Sequence, residues 1–344
     1  MVDYSPLDKF LHSLALGSTV RAEMLHDMER AAFLKSAPSD HGRHVFVTGL
    51  ARAGTTILMR EIHGSGDFGS LTYADMPFVL APNLWLRLSG KGRKSGPRAE
   101  RAHSDGIEVD FNSPEALDEV YWRNFAGVDY ILPDRLIPHA PSDEQMAGYR
   151  DLIRLVLRRT GKSRYLSKNN NHLLRLESLA RAFRDSVILI PVRDPLDHAR
   201  SLLNQHRRFL GADPFTRSYM GWLGHHEFGA THRPFAWDGA TIGGDPQTLD
   251  YWLAQWTAAH RRIEKLDLEH ENIQLVPYQS LISEADTWPA VGRRIGIVST
   301  PLREIRFGAG RKPSGEPAAG VVTAEVTELY QRLDRRARET LANS

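Results

Sequence analysis

Apolar residues recur along the 344-residue chain with two periods, one helical and one continuous, and the switches between them mark out the elements. Over residues 6–36 the spacing is helical, with Val20, Met24, Leu25, Met28 and Ala32 on one stripe expected to cover the sheet or a partner. Val45, Phe46 and Val47 suit a buried parallel strand, and Ile57, Leu58 and Ile62 share one side of a following helix. Leu71 to Trp85 is apolar and aromatic but holds two prolines and Asp75, which predicts a site wall rather than a regular helix. Ser113 reads as an N-cap with Pro114 at the first helical position, and Leu117, Val120 and Tyr121 as a buried stripe.

A capping box, Ser142 and Gln145, opens a further helix that ends near Gly161. A short strand then ends at Lys168, a turn of three asparagines follows, and Leu173, Leu176, Leu179 and Phe183 line the next helix. Val187 to Val192 is a core strand running into Arg193, with Asp194 as N-cap and Pro195 at the first helical position. Leu249, Trp252, Trp256, Ala259, Ile263 and Leu266 repeat at helical spacing, Ile273 to Pro277 forms another strand, and a charged helix closes the chain.

Strands alternating with helices predict an α/β fold, a P-loop-like three-layer sandwich with a central parallel sheet flanked by helices. No repeat divides the chain, so residues 1–344 are expected to form a single domain. Its departures from the plain fold are a helical extension at 1–43, a mobile basic loop at 86–102, an irregular insertion at 211–247 near the acceptor, and a loop and helix at 307–344.

Charge and composition narrow the function. With 44 Lys and Arg against 42 Asp and Glu, the formal charge of +2 fits no general nucleic-acid coat, so anion recognition must be local. The absence of cysteine excludes disulfides, thiolate metal sites and a cysteine nucleophile, and no metal is expected. The start, MVDYSPLDKF, lacks signal-peptide regions and no apolar run approaches the roughly 20 residues of a membrane span, so the expectation is a cytoplasmic enzyme. Arg87 to Arg101 carries six basic residues and one acidic one; a solvated loop is the simpler reading, a lid that attracts an anionic acceptor the sharper.

The candidate chemistry starts at HVFVTGLARAGTTILM, His44 to Met59. A strand, a glycine loop and a helix in that order aim loop amides and the positive end of the helix dipole at one spot, which favours a phosphate-like anion. Against the pattern GxxxxGK[ST], Gly49, Gly54 and Thr56 match but Thr55 stands where the lysine belongs, and Arg52 supplies a cation inside the loop. That points away from a Mg-nucleoside triphosphate. Lys168 at a strand's carboxyl end is well placed for a ligand. Arg193 and Ser201, eight residues apart, are expected to grip a second phosphate, although an Arg at a strand end is as often a salt-bridge partner.

Two anion sites at consecutive strand ends resemble the sulfotransferases that use 3′-phosphoadenosine 5′-phosphosulfate (PAPS). GLARAGTT looks like that family's 5′-phosphosulfate loop, which implies that Arg52, Ala53, Gly54, Thr55 and Thr56 hold the 5′-phosphosulfate. VRDPLDHARS resembles its 3′-phosphate motif, and the roles carry over to Arg193 and Ser201. SKNNNHLLRLESLARAFRDSVILIPVRDP is similar to a Lys-Asn-Pro, helix, strand and Arg-Asp-Pro run of bacterial members and the tyrosylprotein branch, so Lys168 would act at the transferring sulfuryl group. VPYQSL looks like a Val-Arg-Tyr-Glu-Asp-Leu motif and implies Tyr278 near the adenine, though Gln279 and Ser280 replace its acidic pair. Arg311 and Lys312, in the glycine-containing loop FGAGRKPSGEP, suit a further phosphate contact.

The resemblance implies transfer of a sulfuryl group from PAPS to a hydroxyl, with release of 3′-phosphoadenosine 5′-phosphate (PAP) and no metal. His103 and Asp75 rank equally as the base that the acceptor needs; Asp105 comes third, either orienting His103 or replacing it. Tyr73, Phe78 and Trp85 suggest an apolar alcohol or phenol and the basic loop an anionic glycan, so a small molecule, a lipid and a carbohydrate all remain as acceptors. A homodimer is an open expectation. The alternatives are a P-loop nucleoside-phosphate kinase and a non-catalytic nucleotide-binding protein of the same fold.

Overall fold

A computed structural model describes residues 6–89, 99–100, 108–109, 116–237, 243–297 and 322–343. The strands are β1 (Val45–Val47), β2 (Phe68–Gly69), β3 (Ala99–Glu100), β4 (Glu108–Val109), β5 (Arg164–Lys168), β6 (Val187–Val192) and β7 (Ile273–Pro277). Five of them form one parallel sheet in the order β2-β5-β1-β6-β7, while β3 and β4 pair antiparallel by themselves. Val47 stands opposite Lys168 on one side and Leu189 on the other. The chain therefore leaves β1 toward one edge and later fills the other, and β1 lies at the switch point where open α/β sheets take ligands.

Alternation along the strands divides the core between the two faces. Phe46, Tyr165, Ile188, Ile190 and Leu275 join one buried cluster, with helices Glu119–Tyr130, Asp143–Thr160, Pro195–Leu210 and Leu249–Glu269. Val45, Val47, Leu166, Leu189 and Val276 join the other, with Leu58, Met59 and Ile62 of helix Thr55–Gly64 and with Trp288 and Val291. Helices on both faces of a parallel sheet are the expected three-layer sandwich.

Several elements depart from expectation. In helix Thr19–Phe33 the predicted apolar stripe faces outward: Val20, Met24 and Met28 are exposed, and Ala22, His26, Glu29 and Phe33 are buried. The inward carboxylate has a reason. Glu29 accepts from the amides of Asn83 and Leu84 at 2.9 Å each and so caps helix Pro82–Ser89, which occupies the end of the expected site wall and the start of the expected loop at 86–102. The insertion at 211–247 is partly regular, because Asp213 caps a helix over Pro214–Trp222. Ser113 and Pro114 lie outside the described residues, and the helix that buries Val120 and Tyr121 begins at Glu119. Among the described residues no helix is long and apolar enough to cross a membrane.

Candidate active site

The loop after β1 is shaped by three residues with positive φ, Gly49 at 143°, Arg52 at 69° and Gly54 at 105°. Gly54 forms the left-handed N-cap of helix Thr55–Gly64, a conformation that costs glycine little and other residues more. The amides of Thr55 and Thr56 open the first helical turn, have no partner within the helix and point, with the dipole, at the loop's concavity. A Cβ on Gly54 would lie 2.7 Å from two ring carbons of Tyr278, so the absence of a side chain there lets the aromatic ring pack on the loop.

The second anion motif meets this loop directly. Arg52 Nε donates to Ser201 Oγ at 3.2 Å, and Arg193 Nη1 donates to the Arg52 carbonyl at 2.9 Å. Both bonds hold the left-handed Arg52 in place. The Arg193 guanidinium sits 5.0 Å over the Tyr278 ring, a cation–π geometry that keeps it beside the aromatic. The helix carrying Ser201 starts as expected, with Asp194 Oδ1 accepting from the Asp197 amide at 3.0 Å and Pro195 in its first turn. From the same helix His198 Nε2 donates to the Ala51 carbonyl at 2.8 Å, and burial pushes this imidazole well below its ordinary pKa, so it stays neutral.

On the other side of β1, Lys168 ends β5 and is buried. The asparagine turn behind it crosses to the loop: Asn169 N donates to Val47 O at 2.9 Å, and Thr55 Oγ1 donates to Asn170 Oδ1 at 3.4 Å. A buried acid and base fix the turn from below. Glu119 accepts from Asn169 Nδ2 at 2.6 Å and Asn171 Nδ2 at 2.9 Å while Arg175 reaches both its oxygens, at 2.8 and 3.1 Å. Burial alone would raise this carboxyl, but the Arg175 charge and the hydrogen bonds hold it down at about 2.

Arg52, Ala53, Gly54, Thr55, Thr56, Lys168, Arg193, Ser201 and Tyr278 thus belong to one neighbourhood at the carboxyl ends of β1, β5, β6 and β7, linked by the contacts just described. Asp75 does not join them through any hydrogen bond or ion pair among the described residues. It is buried in a capping box, where Oδ2 accepts from Thr72 N at 2.8 Å and from Arg159 Nη2 at 2.7 Å, and burial raises its pKa. His103, Asp105, Arg311 and Lys312 lie outside the described residues.

One residue of the neighbourhood carries no motif. Glu227, half-buried in the turn after helix Pro214–Trp222, accepts from Asn170 Nδ2 at 2.9 Å. Burial would raise its pKa, but the neighbouring His225, the Asn170 amide and the Lys168 ammonium outweigh it and hold the carboxyl below its ordinary value. Its only trace in the sequence is the run His225-His226-Glu227 within an insertion rich in glycine and aromatics. Gly224, at φ +71°, permits the approach: a Cβ there would stand 2.7 Å from Glu119 Cγ, and its carbonyl accepts from Asn171 Nδ2 at 3.0 Å.

Two solved structures align with nearly the whole chain. STF1, a sulfotransferase from Mycobacterium tuberculosis H37Rv, is 13% identical over 99% of this chain and 87% of its own, with a TM-score of 0.49. STF9, a sulfotransferase from Mycobacterium avium, is 15% identical over 100% of this chain and 79% of its own, with a TM-score of 0.48. At such similarity neither bears on substrate or mechanism, and no curated protein sequence matches the chain. A sequence profile described as "Sulfotransferase family" matches residues 44–288, from the strand before the glycine loop to the helix beyond Tyr278, and by that match over most of its length the chain belongs to the sulfotransferase family.

Proposed function

We propose that this sulfotransferase takes its sulfuryl group from PAPS and passes it to a hydroxyl of a small molecule, lipid or carbohydrate, releasing PAP. The observation that carries the reading is the direct join between two anion motifs: Arg52 bonds to Ser201, and Arg193 bonds to Arg52 while stacking on Tyr278. A ligand that satisfies both motifs needs anionic groups at both ends and an aromatic portion, as a nucleoside with 5′ and 3′ phosphates has.

In this reading the amides at Gly54–Thr56 and Arg52 hold the 5′-phosphosulfate, and Arg193 and Ser201 hold the 3′-phosphate. Lys168 faces the sulfuryl group. As the acceptor oxygen approaches in line, negative charge builds on the bridging oxygen of the departing nucleotide, and these fixed donors stabilise it. His103, Asp75 and Asp105 are the sequence's candidates for the base at the acceptor, Arg311 and Lys312 are further phosphate contacts, residues 1–344 form one sulfotransferase domain, and the cytoplasm is its place. A phosphate-transferring kinase is the weaker reading. Thr55 fills the lysine position and donates its hydroxyl to Asn170, so no cation stands there for a γ-phosphate.

Calorimetric titration separates the two. PAP is expected to bind without metal and to compete with PAPS, whereas ATP with Mg²⁺ binds much more weakly. Tight Mg-ATP binding without PAP binding would overturn the donor assignment.

A further inference from the structure

We propose that Glu227 is the general base, its carboxylate taking the proton from the acceptor hydroxyl as the sulfuryl group is transferred. The inference rests on the PAPS reading. As the step proceeds, the acceptor O–H bond breaks and its proton goes to a Glu227 oxygen while the acceptor oxygen bonds to sulfur. The bond from sulfur to the bridging oxygen breaks with its electron pair left on PAP, so one proton and one sulfuryl group are accounted for.

Three carboxylates surround the turn from Lys168 to Asn171, and burial separates them. Asp118 is 2% exposed and accepts from Tyr149 at 2.7 Å and from Ser167, with His172 at 3.3 Å. Glu119 is fully buried, and both its oxygens are occupied by Arg175 and the flanking asparagines. Glu227 is the least buried residue of the three. Asn170 holds its Oε1, and the second oxygen is the one assigned to take the proton.

Its position along the donor follows from the same asparagine. Asn170 accepts from Thr55, the first residue of the helix whose amides cradle the phosphosulfate, and donates to Glu227. The carboxylate therefore stands two hydrogen bonds from the cradle on the Lys168 side, away from the Arg193 and Tyr278 side. Its neighbours pull in one direction. The Lys168 ammonium acts on it as a cation, and His226 and His232 also feel its charge. A carboxylate at the mouth of a site built for an anion repels the donor, and proton acceptance gives that charge a use. Asp75 has no such freedom, because Thr72 and Arg159 hold the oxygen that faces them inside a buried turn.

The test uses the full-length protein and E227Q, which keeps a carbonyl oxygen for Asn170 and removes the charge. Calorimetry with PAP and PAPS is expected to show E227Q binding PAPS about three- to tenfold more tightly, through lost repulsion of the sulfuryl group, with PAP within about twofold of wild type. With ³⁵S-labelled PAPS and a panel of phenols, primary alcohols and water as acceptors, E227Q should lose about 10²- to 10⁴-fold in turnover wherever wild type has it. E227D, which keeps a carboxylate, should recover part of that turnover. PAPS and PAP affinities that change in parallel, or wild-type turnover in E227Q, would overturn the assignment of Glu227 alone. A wild-type protein that binds neither nucleotide would instead overturn the PAPS reading.

Discussion

Arg52 reaches Ser201 across 149 residues of sequence, donating from Nε at 3.2 Å, so the cation of the glycine loop bonds directly to the hydroxyl of the helix after β6. That contact makes the two anion motifs a single unit rather than two sites that happen to share a sheet edge.

The unit should show as non-additivity. Ser201→Ala is expected to weaken PAP by about 0.5–1.5 kcal/mol, the net worth of a typical hydrogen bond, and Arg52→Ala by more because a charge is lost. Because the residues touch, the double variant should lose less than the sum of the two. Strict additivity in PAP titrations would mean that the bond between them has no bearing on the nucleotide.

Arg193→Ala removes a charged contact and should weaken PAP by roughly 1.5–3 kcal/mol. Since Arg193 also donates to the Arg52 carbonyl, part of this loss should come from a loosened loop. Hydrogen exchange at residues 50–54 reads that part directly and should speed up in the variant. Unchanged PAP affinity would remove Arg193 from the nucleotide site.

Much of this site could be read in the sequence because local rules place it. The strand, glycine turn and helix at 45–64, the N-cap and proline at 194–195, and the eight-residue step to Ser201 all depend on residues close to one another in the chain. The orientation of Thr19–Phe33 could not be read that way. Its stripe of Val20, Met24 and Met28 has the right period, yet Glu29 is drawn inward to cap a helix 53 residues later, starting at Pro82, and only the tertiary partner reveals this. Asp75 is the carboxylate of the apolar and aromatic stretch expected to wall the site, yet Arg159 from another helix holds it in a buried turn. Glu227 is illegible in the sequence for a related reason. Its partner Asn170 lies 57 residues away, and nothing local to a turn of histidines and glycines announces a carboxylate at the site.

Gly54→Ala combines two penalties. An alanine at φ +105° is strained, and its Cβ would press on the Tyr278 ring. A left-handed residue costs roughly 1–2 kcal/mol. The variant should therefore lose about that much stability in urea and bind PAP more weakly. Adding Tyr278→Ala relieves the contact but not the backbone, so it should not restore the urea midpoint to that of Tyr278→Ala alone. Full restoration would mean that only the ring contact matters.

Acid should weaken the fold well above the carboxylate range. His226 and His260 are held at about 4 by burial, and His198 is pushed down as well. In the unfolded chain each imidazole takes a proton near its ordinary value of 6.5, and the folded state does not. Stability is thus full above about 6.5 and falls as the pH drops toward 4, by up to about 1.4 kcal/mol per pH unit for each such group. Urea melts at pH 7.5 and 5.5 check this. An equal or higher midpoint at pH 5.5 would show that these rings are not kept neutral.

The buried Glu119–Arg175 pair should be worth most to the site when both charges are present. Glu119→Gln leaves the Arg175 guanidinium buried without its counter-charge, at an expected cost of about 3–5 kcal/mol, and slackens the asparagine turn that aligns Thr55 with Glu227. The wild-type pair has its own acid limb. With the folded carboxyl held at about 2 and an ordinary value of 4.5, its contribution is complete above about pH 4.5 and disappears as the pH falls toward 2. The stability gap between wild type and E119Q should then be large at pH 7 and narrow between pH 4.5 and 3. Arg175→Met alone should be as damaging as E119Q, whereas E119Q with Arg175→Met removes both charges and should recover part of the loss. If the double variant is less stable than either single one, the asparagines and Tyr130 depend on the pair for more than charge balance.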